Sequence, residues 1–387
     1  MKVIFYTANC FMDTSIEVIN ILKQVVELHV IIEVRQATKS QTIIDVTNFP
    51  EGQDIVPVEK MLNSTNYAKL KPYLDGTASA NFVAYARPGI AGQLKTAKAL
   101  HRHIKSINAD TLHLEALLVR SLSLLPILFS FKKIYLTIHD PLPHMGEKDF
   151  KIDLTRFIYF HLPKLKGFFF YSEYARKQFQ QHYKIKNKPC WVIKMYPLSY
   201  YKKLAVNRNI DKRSLLFFGR LSAYKGVEVL LNSISNVFEK FPLTHLVIAG
   251  RSINNYKIPQ DVLNKFPDKI TVLNRHISNE ELVKLIGEAK FVICPYIEAT
   301  QSGVLMTSFA LNTPVLASAV GSFEEYIVDN QNGCLVAPND SDLLAEKTMV
   351  LLENDFYKSL SMNLKMHQHR NPWDLNQPIY LHAYQTN

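Results

Sequence analysis

The feature of this sequence that most limits its fold is the regular alternation of short apolar runs with longer segments of helical periodicity. Short apolar runs are typical of strands buried on both faces, and the segments between them suit covering helices. Because the alternation runs through the whole 387-residue chain, it predicts parallel sheets covered by helices. A chain of this length exceeds one ordinary core, so two domains are expected.

Strands and helices can be assigned along the whole alternation. In the first half, strands are predicted at residues 3–7, 28–34, 111–114, 133–138 and 167–171, with helices at 15–28, 93–107 and 173–183. In the second half, strands are predicted at 215–218, 245–249, 270–273, 291–294 and 314–317, with helices at 226–239, 279–288, 303–311 and 342–352. Both halves therefore resemble doubly wound sheets, and the cleft between them is the expected ligand site.

The predicted boundary between the two domains is a polar, basic stretch at residues 200–213. It assigns residues 1–205 to an N-terminal domain and residues 206–370 to a C-terminal domain, both of the doubly wound type. The last segment, residues 371–387, carries Trp373, Tyr380 and Tyr384. Because so aromatic a segment is poorly suited to disorder, we expect it to pack back towards the N-terminal domain.

The charge balance favours an anionic partner. Lys and Arg number 45 against 34 Asp and Glu, which gives a formal net charge of +11. A nucleotide, a lipid headgroup or a nucleic acid would satisfy this balance, and so would an ordinary solvated surface. Zinc-finger spacing, basic-region heptads and the aromatic signature of RNA-binding sheets are missing from the sequence, so no nucleic-acid partner is predicted.

Cysteine usage and hydropathy predict a cytoplasmic protein. The four cysteines, at positions 10, 190, 294 and 334, form no close pair, which is typical of reduced and mostly buried thiols. The apolar run at the N-terminus is too short for a signal peptide, and no run reaches the about 20 apolar residues of a membrane span. Membrane contact is therefore expected to be peripheral, with anionic lipid at the inner face of the cell membrane.

The first candidate site is the run FFGRLSAYKG at residues 217–226, in which a predicted strand ends at Gly219. A glycine at the carboxyl end of a parallel strand lets the backbone approach a ligand. Arg220 and Lys225 then place two cations at the start of the next helix, where they suit a diphosphate. Taken alone, this run is also compatible with a surface loop that carries two ordinary cations.

The second candidate site is the turn ATQSG at residues 299–303, between a predicted buried strand and an apolar helix. Its small residues permit close backbone approach, and Ser302 suits the helix N-cap. The free amides at the start of this helix can hold an anion. A capped helix without any ligand explains the turn equally well when it is considered alone.

Taken in order, these runs resemble the landmarks of glycosyltransferase family 4. The run HLVIAGR at residues 245–251 lies between them, and GSFEE at 321–325 and Asn332-Gly333 follow. The resemblance spans essentially the whole second half. It implies the α/β fold called GT-B, in which two Rossmann-like, doubly wound domains face each other across a cleft, and a transfer reaction with retention of anomeric configuration.

The resemblance also implies roles for individual residues. In that family, an arginine and a lysine after the first strand of the C-terminal domain grip the donor diphosphate, and these correspond to Arg220 and Lys225. The turn at 299–303 corresponds to the segment that receives the distal phosphate and the sugar, and residues 270–277 correspond to the nucleobase wall. The implied donor-binding residues are Gly219, Arg251, Arg275, His276, Ile277, Glu298, Ala299, Thr300, Gln301, Ser302, Gly303, Val304 and Thr307.

One departure from the family concerns two glutamates that usually face the sugar and the ribose. When residues 312–315, NTPV, are aligned with the family's Gly-Thr-Pro-Val, Ala299 and Thr307 occupy those positions, and neither is acidic. Glu298 lies one residue from the first position and would replace it only if the loop shifted. Because the ATQSG turn resembles a bacterial subgroup, we interpret it as a variant clamp in which Thr307 still meets the ribose.

In the first half, the run TIHDP at residues 137–141 closes a strand and resembles the family's His-acid-Pro segment. The histidine of that segment contacts the transferred sugar, so His139 joins Arg220 and Lys225 as a predicted catalytic residue. A neutral imidazole can donate to a sugar hydroxyl or orient the reacting groups.

A second departure from the family lies at the first strand-to-helix turn. The turn at residues 7–10 lacks the paired glycines of many family members. The acceptor-side candidates are Asn9 in this turn, Asp140 and His144.

No essential metal and no cofactor are predicted. Asp340 and Asp342 have the spacing of a metal-binding Asp-x-Asp, but their place before a predicted helix favours an N-cap. The pairs His101 with His103 and His367 with His369 put imidazoles on differing helix faces, with no third ligand nearby in the sequence.

The sequence thus predicts a glycosyltransferase that moves a sugar from a UDP- or GDP-sugar to a hydroxyl of a saccharide or lipid-linked saccharide. Synthesis of a bacterial surface polysaccharide or glycoconjugate is the expected setting. Two alternatives remain. The missing glutamates favour a catalytically inactive partner protein of the same fold, and another sugar-nucleotide chemistry, such as that of an epimerase or a phosphorylase, also suits the landmarks.

Overall fold

The protein is described by a computed structural model that covers residues 1–34, 43–44, 46, 49, 54–85, 89–143, 150–185, 187–205, 214–366 and 372–386. The strands are β1 Lys2–Ala8, β2 Glu27–Val34, β3 Ile55–Pro57, β4 Ser79–Ala84, β5 Thr111–Leu114, β6 Lys133–Ile138, β7 Leu165–Phe170, β8 Cys190–Val192, β9 Ser214–Phe218, β10 His245–Ala249, β11 Ile270–Leu273, β12 Ala289–Cys294, β13 Val315–Ser318 and β14 Gly333–Val336.

The helices lie between these strands or follow them. They are α1 Met12–Leu22, α2 Val58–Met61, α3 Ser64–Leu74, α4 Gly89–Ile107, α5 Leu125–Leu128, α6 Phe150–Phe160, α7 Glu173–His182, α8 Ser199–Leu204, α9 Val227–Lys240, α10 Asp261–Lys265, α11 Asn279–Glu288, α12 Gly303–Ala310, α13 Phe323–Tyr326, α14 Ser341–Leu352, α15 Phe356–Met366 and α16 Gln377–Gln385. Short 3-10 turns at Asn9–Phe11 and Ala223–Lys225 precede α1 and α9.

The strands form two sheets, one for each domain. The first has eight strands in the order β3-β4-β2-β1-β5-β6-β7-β8, and the second has six in the order β11-β10-β9-β12-β13-β14. Neighbouring strands are parallel except β3 and β4, which are antiparallel. In each sheet the strand order reverses beside the first strand of the domain, β1 or β9. Ligands of doubly wound sheets bind at this reversal, at the carboxyl ends of the strands.

Most of the central strands are buried along nearly their whole length because helices cover both faces of each sheet. In β1, every residue after Lys2 is buried, and β9 is buried from end to end. This pattern explains why the strands appear in the sequence as continuous apolar runs and not as alternating ones. A buried apolar run stops where the chain leaves the sheet, so the end of each run also marks the start of the next loop.

Most of the predicted elements are present, and the exceptions have physical reasons. The helix predicted at 15–28 ends at Leu22, because Leu28 pairs with Val3 in the parallel β1–β2 ladder. The strands β3, β4, β8 and β14 were not predicted. β3 and β8 are three residues long, which is too short to give a pattern, and polar residues interrupt the apolar run of β4. The predicted linker at 200–213 begins inside α8, and its residues 206–213 lie outside the described ranges.

The C-terminal helix α16 lies against the first sheet. The Tyr135 hydroxyl donates to the carbonyl of Ala383 at 2.5 Å, and Lys133 Nζ donates to the carbonyl of Tyr384 at 2.9 Å. The Tyr384 hydroxyl also forms a hydrogen bond with Nδ1 of the fully buried His113. The helix α16 therefore packs on the first domain, as the aromatic composition of this segment predicted.

Candidate active site

The loop after β9 lies at the strand-order reversal of the second sheet and carries both predicted cations. Its shape depends on glycine at two positions. Gly219 has φ 119°, and Gly226 has φ 66° and lies so close to β12 that a β-carbon there would be 1.8 Å from the carbonyl oxygen of Pro295. Arg220 is exposed, and its Nη2 donates to the Tyr224 hydroxyl at 3.3 Å. The loop therefore lies against the carboxyl end of β12 with Arg220 open to solvent.

Lys225 is held over an aromatic face at the same edge of the sheet. Its Nζ lies 3.7 Å from the centroid of the Tyr296 ring, within the range of a cation–π contact. Burial raises the pKa of the neighbouring Cys294 thiol to about 12, and the charge of Lys225 opposes this shift. The Lys225 ammonium thus stands at the carboxyl end of β12 in a half-buried position.

The turn at 299–303 connects the carboxyl end of β12 to α12. Ala299 is 4% exposed, and its carbonyl oxygen would lie 1.8 Å from a β-carbon on Gly321. The Ser302 hydroxyl accepts a hydrogen bond from the amide of Leu305 at 3.2 Å and so forms the predicted N-cap of α12. Val304 lies beside Gly219, and Thr307 is 4% exposed within the helix. The start of this helix therefore faces the loop that carries the two cations.

The same turn makes direct hydrogen bonds to the first domain. The Thr300 hydroxyl donates to the Asp140 carboxylate, and the Ser172 hydroxyl donates to the carbonyl of Thr300 at 2.8 Å. Gln301 Nε2 lies 2.7 Å from His139 Nδ1. The structure thus brings His139 and Asp140, predicted from the first half, onto the turn predicted from the second half, although 162 positions separate His139 from Gln301.

His139 is enclosed by groups of the first domain. Its Nε2 lies 3.0 Å from the backbone oxygen of Glu115 and 3.2 Å from the Oε1 of the same residue. The ring also stacks at 4.5 Å from the ring of Phe11. Burial by itself would lower the pKa of His139, but the hydrogen bond and charge of Glu115 and the charge of Asp140 outweigh it, so the pKa is raised. These acidic groups therefore favour the protonated form of the His139 imidazole.

Three residues of this site were absent from the sequence-based prediction. Glu115 is fully buried and follows β5, Tyr171 follows β7 and donates to Glu115 Oε1 at 2.5 Å, and Asp13 lies in the first turn of α1. The Oδ2 of Asp13 would lie 3.9 Å from a β-carbon on Gly303, so it faces the start of α12 across the cleft. Glu115 had a signal in the sequence, because it directly follows a predicted strand next to the strand-order reversal.

The predicted nucleobase wall is an exposed edge of the second domain. Arg275 is exposed, and its guanidinium forms a two-pronged ion pair with Glu281 at 2.7 and 2.8 Å. His276 is exposed as well, and partial burial together with the charge of Arg275 lowers its pKa. Ile277 packs against the core, and Arg251 is exposed while its carbonyl accepts from the amide of Leu221 at 3.0 Å.

The remaining candidates lie in different surroundings. Glu298 is half-buried, and burial raises the pKa of Tyr174 on α7 of the first domain, with a smaller contribution from the charge of Glu298. Asn9 is completely buried in the turn after β1. His144 lies outside the described residues, which stop at residue 143 and resume at 150.

A second contact joins the domains beside the site. The Glu325 carboxylate accepts from the backbone amides of Glu173 at 2.9 Å and Tyr174 at 2.7 Å, which are the first amides of α7. The Tyr326 hydroxyl donates to the carbonyl of Tyr171. A carboxylate at a helix N-terminus is stabilised by the unpaired amides there. The cleft is therefore closed on one side by hydrogen bonds between the domains.

Within the described ranges, no group of three His, Cys, Asp or Glu side chains is placed to hold a metal ion. Asp340 forms the predicted N-cap, since its carboxylate accepts from the amide of Leu343 at 2.8 Å. His101 Nε2 instead contacts the carbonyl of Ser123 at 2.6 Å. His367 and His369 lie outside the described residues.

Comparison with known sequences finds similarity in the second half of the chain. Residues 212–354 match the family model described as Glycosyl transferases group 1. An uncharacterized glycosyltransferase of Methanocaldococcus jannaschii is 30% identical over 153 residues, which is 38% of this chain and 39% of that protein. A D-inositol 3-phosphate glycosyltransferase of Corynebacterium efficiens is 28% identical over 153 residues, 38% of this chain and 36% of that protein. The matched region thus spans less than half of each relative.

Solved structures resemble the whole molecule. A glycosyltransferase from Rickettsia africae superimposes with a TM-score of 0.66 at 16% identity, and the match covers 100% of this chain and 99% of that one. HepE from Anabaena in complex with UDP-glucose superimposes with a TM-score of 0.65 at 13% identity, covering 99% of this chain and 100% of that one. Likeness at this level of identity concerns the fold. It confirms the predicted GT-B arrangement of two doubly wound α/β domains.

Proposed function

We propose that this chain is a glycosyltransferase that moves a sugar from a nucleotide diphosphate sugar to a hydroxyl acceptor. The observation that carries the proposal is that the site residues predicted from the two halves of the chain lie in contact. The turn of Thr300 and Gln301 contacts Asp140 and His139. Arg220 and Lys225 stand at the carboxyl edge of the same sheet. The match of residues 212–354 to a glycosyltransferase family model supports the same reading.

The site supplies positive charge where a departing nucleotide diphosphate would develop negative charge. Arg220 is open to solvent, Lys225 is half-buried, and α12 begins beside the loop that carries them, with Val304 next to Gly219. Preorganised cations and amides stabilise such charge most effectively when they need no rearrangement during the reaction. In this proposal Arg220, Lys225 and the amides of Gln301 to Gly303 hold the diphosphate, and His139 contacts the transferred sugar.

The donor in this proposal is a UDP- or GDP-sugar. The Anabaena protein of the same fold was solved with UDP and with UDP-glucose, which favours the uridine nucleotide for the first trial. Retention of the anomeric configuration, with the departing phosphate taking the acceptor proton, follows from the family resemblance. Screening by thermal shift against UDP, GDP and their sugar conjugates would identify the base. A panel in which no nucleotide raises the melting temperature would count against a donor site at these residues.

The acceptor in this proposal is a saccharide or a lipid-linked saccharide at the inner face of the cell membrane. Among the described helices, none is long and apolar enough to cross a bilayer. Large apolar side chains are nevertheless exposed on two helices of the first domain, with Ile90 81%, Leu94 64%, Phe150 78% and Phe157 63% exposed. Flotation with anionic liposomes should carry the protein upward, and a protein that stays at the bottom of the gradient would remove the membrane part.

A transfer assay separates the proposal from its alternatives. Incubation with a radiolabelled sugar nucleotide and a membrane extract should give labelled product only when acceptor is present. Turnover without acceptor would indicate an epimerase or hydrolase, and phosphate-dependent product would indicate a phosphorylase. Nucleotide binding with no turnover under any condition would favour an inactive partner protein, for which the buried, non-acidic Ala299 and Thr307 provide the structural reason.

A further inference from the structure

Glu115 is an acidic side chain that is completely buried beside the cleft. It follows β5, and its Oε1 accepts from the Tyr171 hydroxyl at 2.5 Å and lies 3.2 Å from His139 Nε2. Its other carboxyl oxygen, Oε2, is buried without a hydrogen-bond partner in the described structure. Burying a carboxyl group with one oxygen unpaired costs free energy of folding, so Glu115 is poorly suited to a purely structural role.

The contacts of His139 determine which of its ring nitrogens carries a proton. The backbone oxygen of Glu115, 3.0 Å from Nε2, can only accept a hydrogen bond. Nε2 must therefore be protonated, and in the neutral ring Nδ1 carries the lone pair. Nδ1 faces Gln301 of the second domain at 2.7 Å, where the amide nitrogen of Gln301 can donate to it.

We propose that Glu115 is a positioning residue that holds His139 with Nε2 protonated and Nδ1 directed at the interdomain cleft. This inference rests on the proposed function only for its catalytic consequence. The orientation itself follows from the contacts of Glu115 with His139 and Tyr171. Glu115 does not touch the cleft and acts through the imidazole of His139. In other sites too, the hydrogen bond at one ring nitrogen of a histidine fixes which nitrogen carries the proton.

On the Nδ1 side of His139, Gln301 can form a hydrogen bond with either protonation state of the ring. Gln301 Oε1 is buried and finds no hydrogen-bond partner in the part of the chain that the structure describes. A half-turn of the Gln301 amide would exchange its nitrogen for this oxygen, which could then accept from a protonated Nδ1. The interdomain hydrogen bond is therefore retained whether His139 is neutral or charged.

Several groups besides Glu115 face the His139 ring. Asp140 adjoins it, and Asp13 on α1 interacts with its charge, so two further acids favour the protonated ring. The ring of Tyr171 lies 5.2 Å away and that of Phe11 4.5 Å away, and both exclude water. Removing the Glu115 charge should therefore lower the pKa of His139 without abolishing its titration.

The test is a nitrogen-15 NMR measurement on the full chain, with Glu115→Gln as the variant. In the unaltered protein, His139 should titrate as a ring protonated at Nε2 when neutral. In Glu115→Gln its pKa should fall by about one unit, because a carboxylate within hydrogen-bond reach is lost. A neutral His139 protonated at Nδ1, or an unchanged pKa in the variant, would overturn the proposal. This measurement needs no substrate, so it stands even if the proposed transfer reaction fails.

Glu33→Gln is the matched control. Glu33 is also buried, lies in β2 of the same sheet and accepts from a tyrosine hydroxyl, that of Tyr6 at 2.8 Å. Both variants remove one buried carboxyl charge, and only Glu115→Gln should move the His139 resonances. If Glu33→Gln moved them equally, the effect would be general loosening of the domain, and the positioning role would be wrong.

Kinetics supply the second readout. In Glu115→Gln, the limb of the kcat–pH profile that reports His139 should move to lower pH by the shift seen in NMR. KM for the donor should be unchanged, because Glu115 does not touch the cleft. An unmoved profile together with a shifted NMR titration would mean that His139 has no part in catalysis. If the protein has no transferase activity at all, the proposed function is wrong. The NMR titration still tests the positioning role of Glu115 in that case.

Discussion

The two domains have the same doubly wound architecture, but their halves of the candidate site are built differently. In the second domain the loop of Arg220 and Lys225 and the turn of Ser302 are short, continuous segments that follow strand ends. In the first domain His139 depends on Glu115 and Tyr171, which follow two other strands. A site made from continuous segments shows itself in the sequence, whereas one assembled from several strands appears only in the fold.

The largest expected effect tests the continuous half of the site. Replacing Lys225 with Ala removes a cation from the proposed diphosphate site, and kcat for transfer should fall on the order of a hundredfold. The fold should be intact, as judged by circular dichroism. Lys240→Ala, at the other end of α9 where Lys240 pairs with Glu353, should transfer at the normal rate. A folded Lys225→Ala variant with normal turnover would break the assignment of this half.

The next effect concerns glycine at the two strand-to-helix loops. A β-carbon on Gly226 would lie 1.8 Å from the Pro295 carbonyl oxygen, and φ is 66° there. Gly226→Ala should therefore lower the free energy of unfolding by about 3 kcal/mol or more. Gly89 of the first domain has φ 72° with open space around it, so Gly89→Ala should cost only about 1 kcal/mol. Urea denaturation measures both, and equal losses would contradict the tight packing of the loop.

A smaller effect tests a buried acid of the first domain. Burial raises the pKa of Glu17 to about 7, although its Oε1 accepts from the amide of Ser199 at 2.5 Å. Since the folded protein holds this proton more tightly than the unfolded chain, ionised Glu17 destabilises the fold above pH 7. The penalty disappears as the pH falls below the ordinary value of about 4.5.

Glu17→Gln, which can still accept from Ser199, should therefore stabilise the protein by about 2 kcal/mol at pH 8. At pH 4.5 the variant and the unaltered protein should unfold together. Thermal denaturation at the two pH values gives the comparison. A gain that is the same at both would show that the ionisation of Glu17 is not its cause.

The smallest effect concerns the contact between the domains. Glu325→Gln leaves one acceptor for the first amides of α7 but removes the negative charge that they favour, so stability should fall by about 1 kcal/mol. Glu324 is the neighbouring exposed acid, and Glu324→Gln should change stability little. If the two variants lost the same stability, the Glu325 contact would add nothing to the join between the domains.

The sequence was sufficient to give the bounds of several strands. β5, β6, β10 and β11 begin and end where the apolar runs do. β3 and β8 were missed because three residues carry no periodicity. β4 was missed because the polar Ser79 and Asn81 interrupt its apolar run, and β14 begins with a glycine. Glu115 was missed although it directly follows a predicted strand, and Tyr171 and Asp13 were missed because nothing in their own segments distinguishes them from residues of an ordinary core.

The sequence by itself therefore determined the two-domain architecture and the local shape of the loop from Gly219 to Gly226, since both depend on neighbouring residues. The tertiary structure decided which groups face one another across the cleft. Parallel strands bring their carboxyl ends to one edge whatever their distance along the chain, so Glu115 meets His139, and the packing of the domains sets Thr300 against Asp140. These contacts join residues 24 and 160 positions apart.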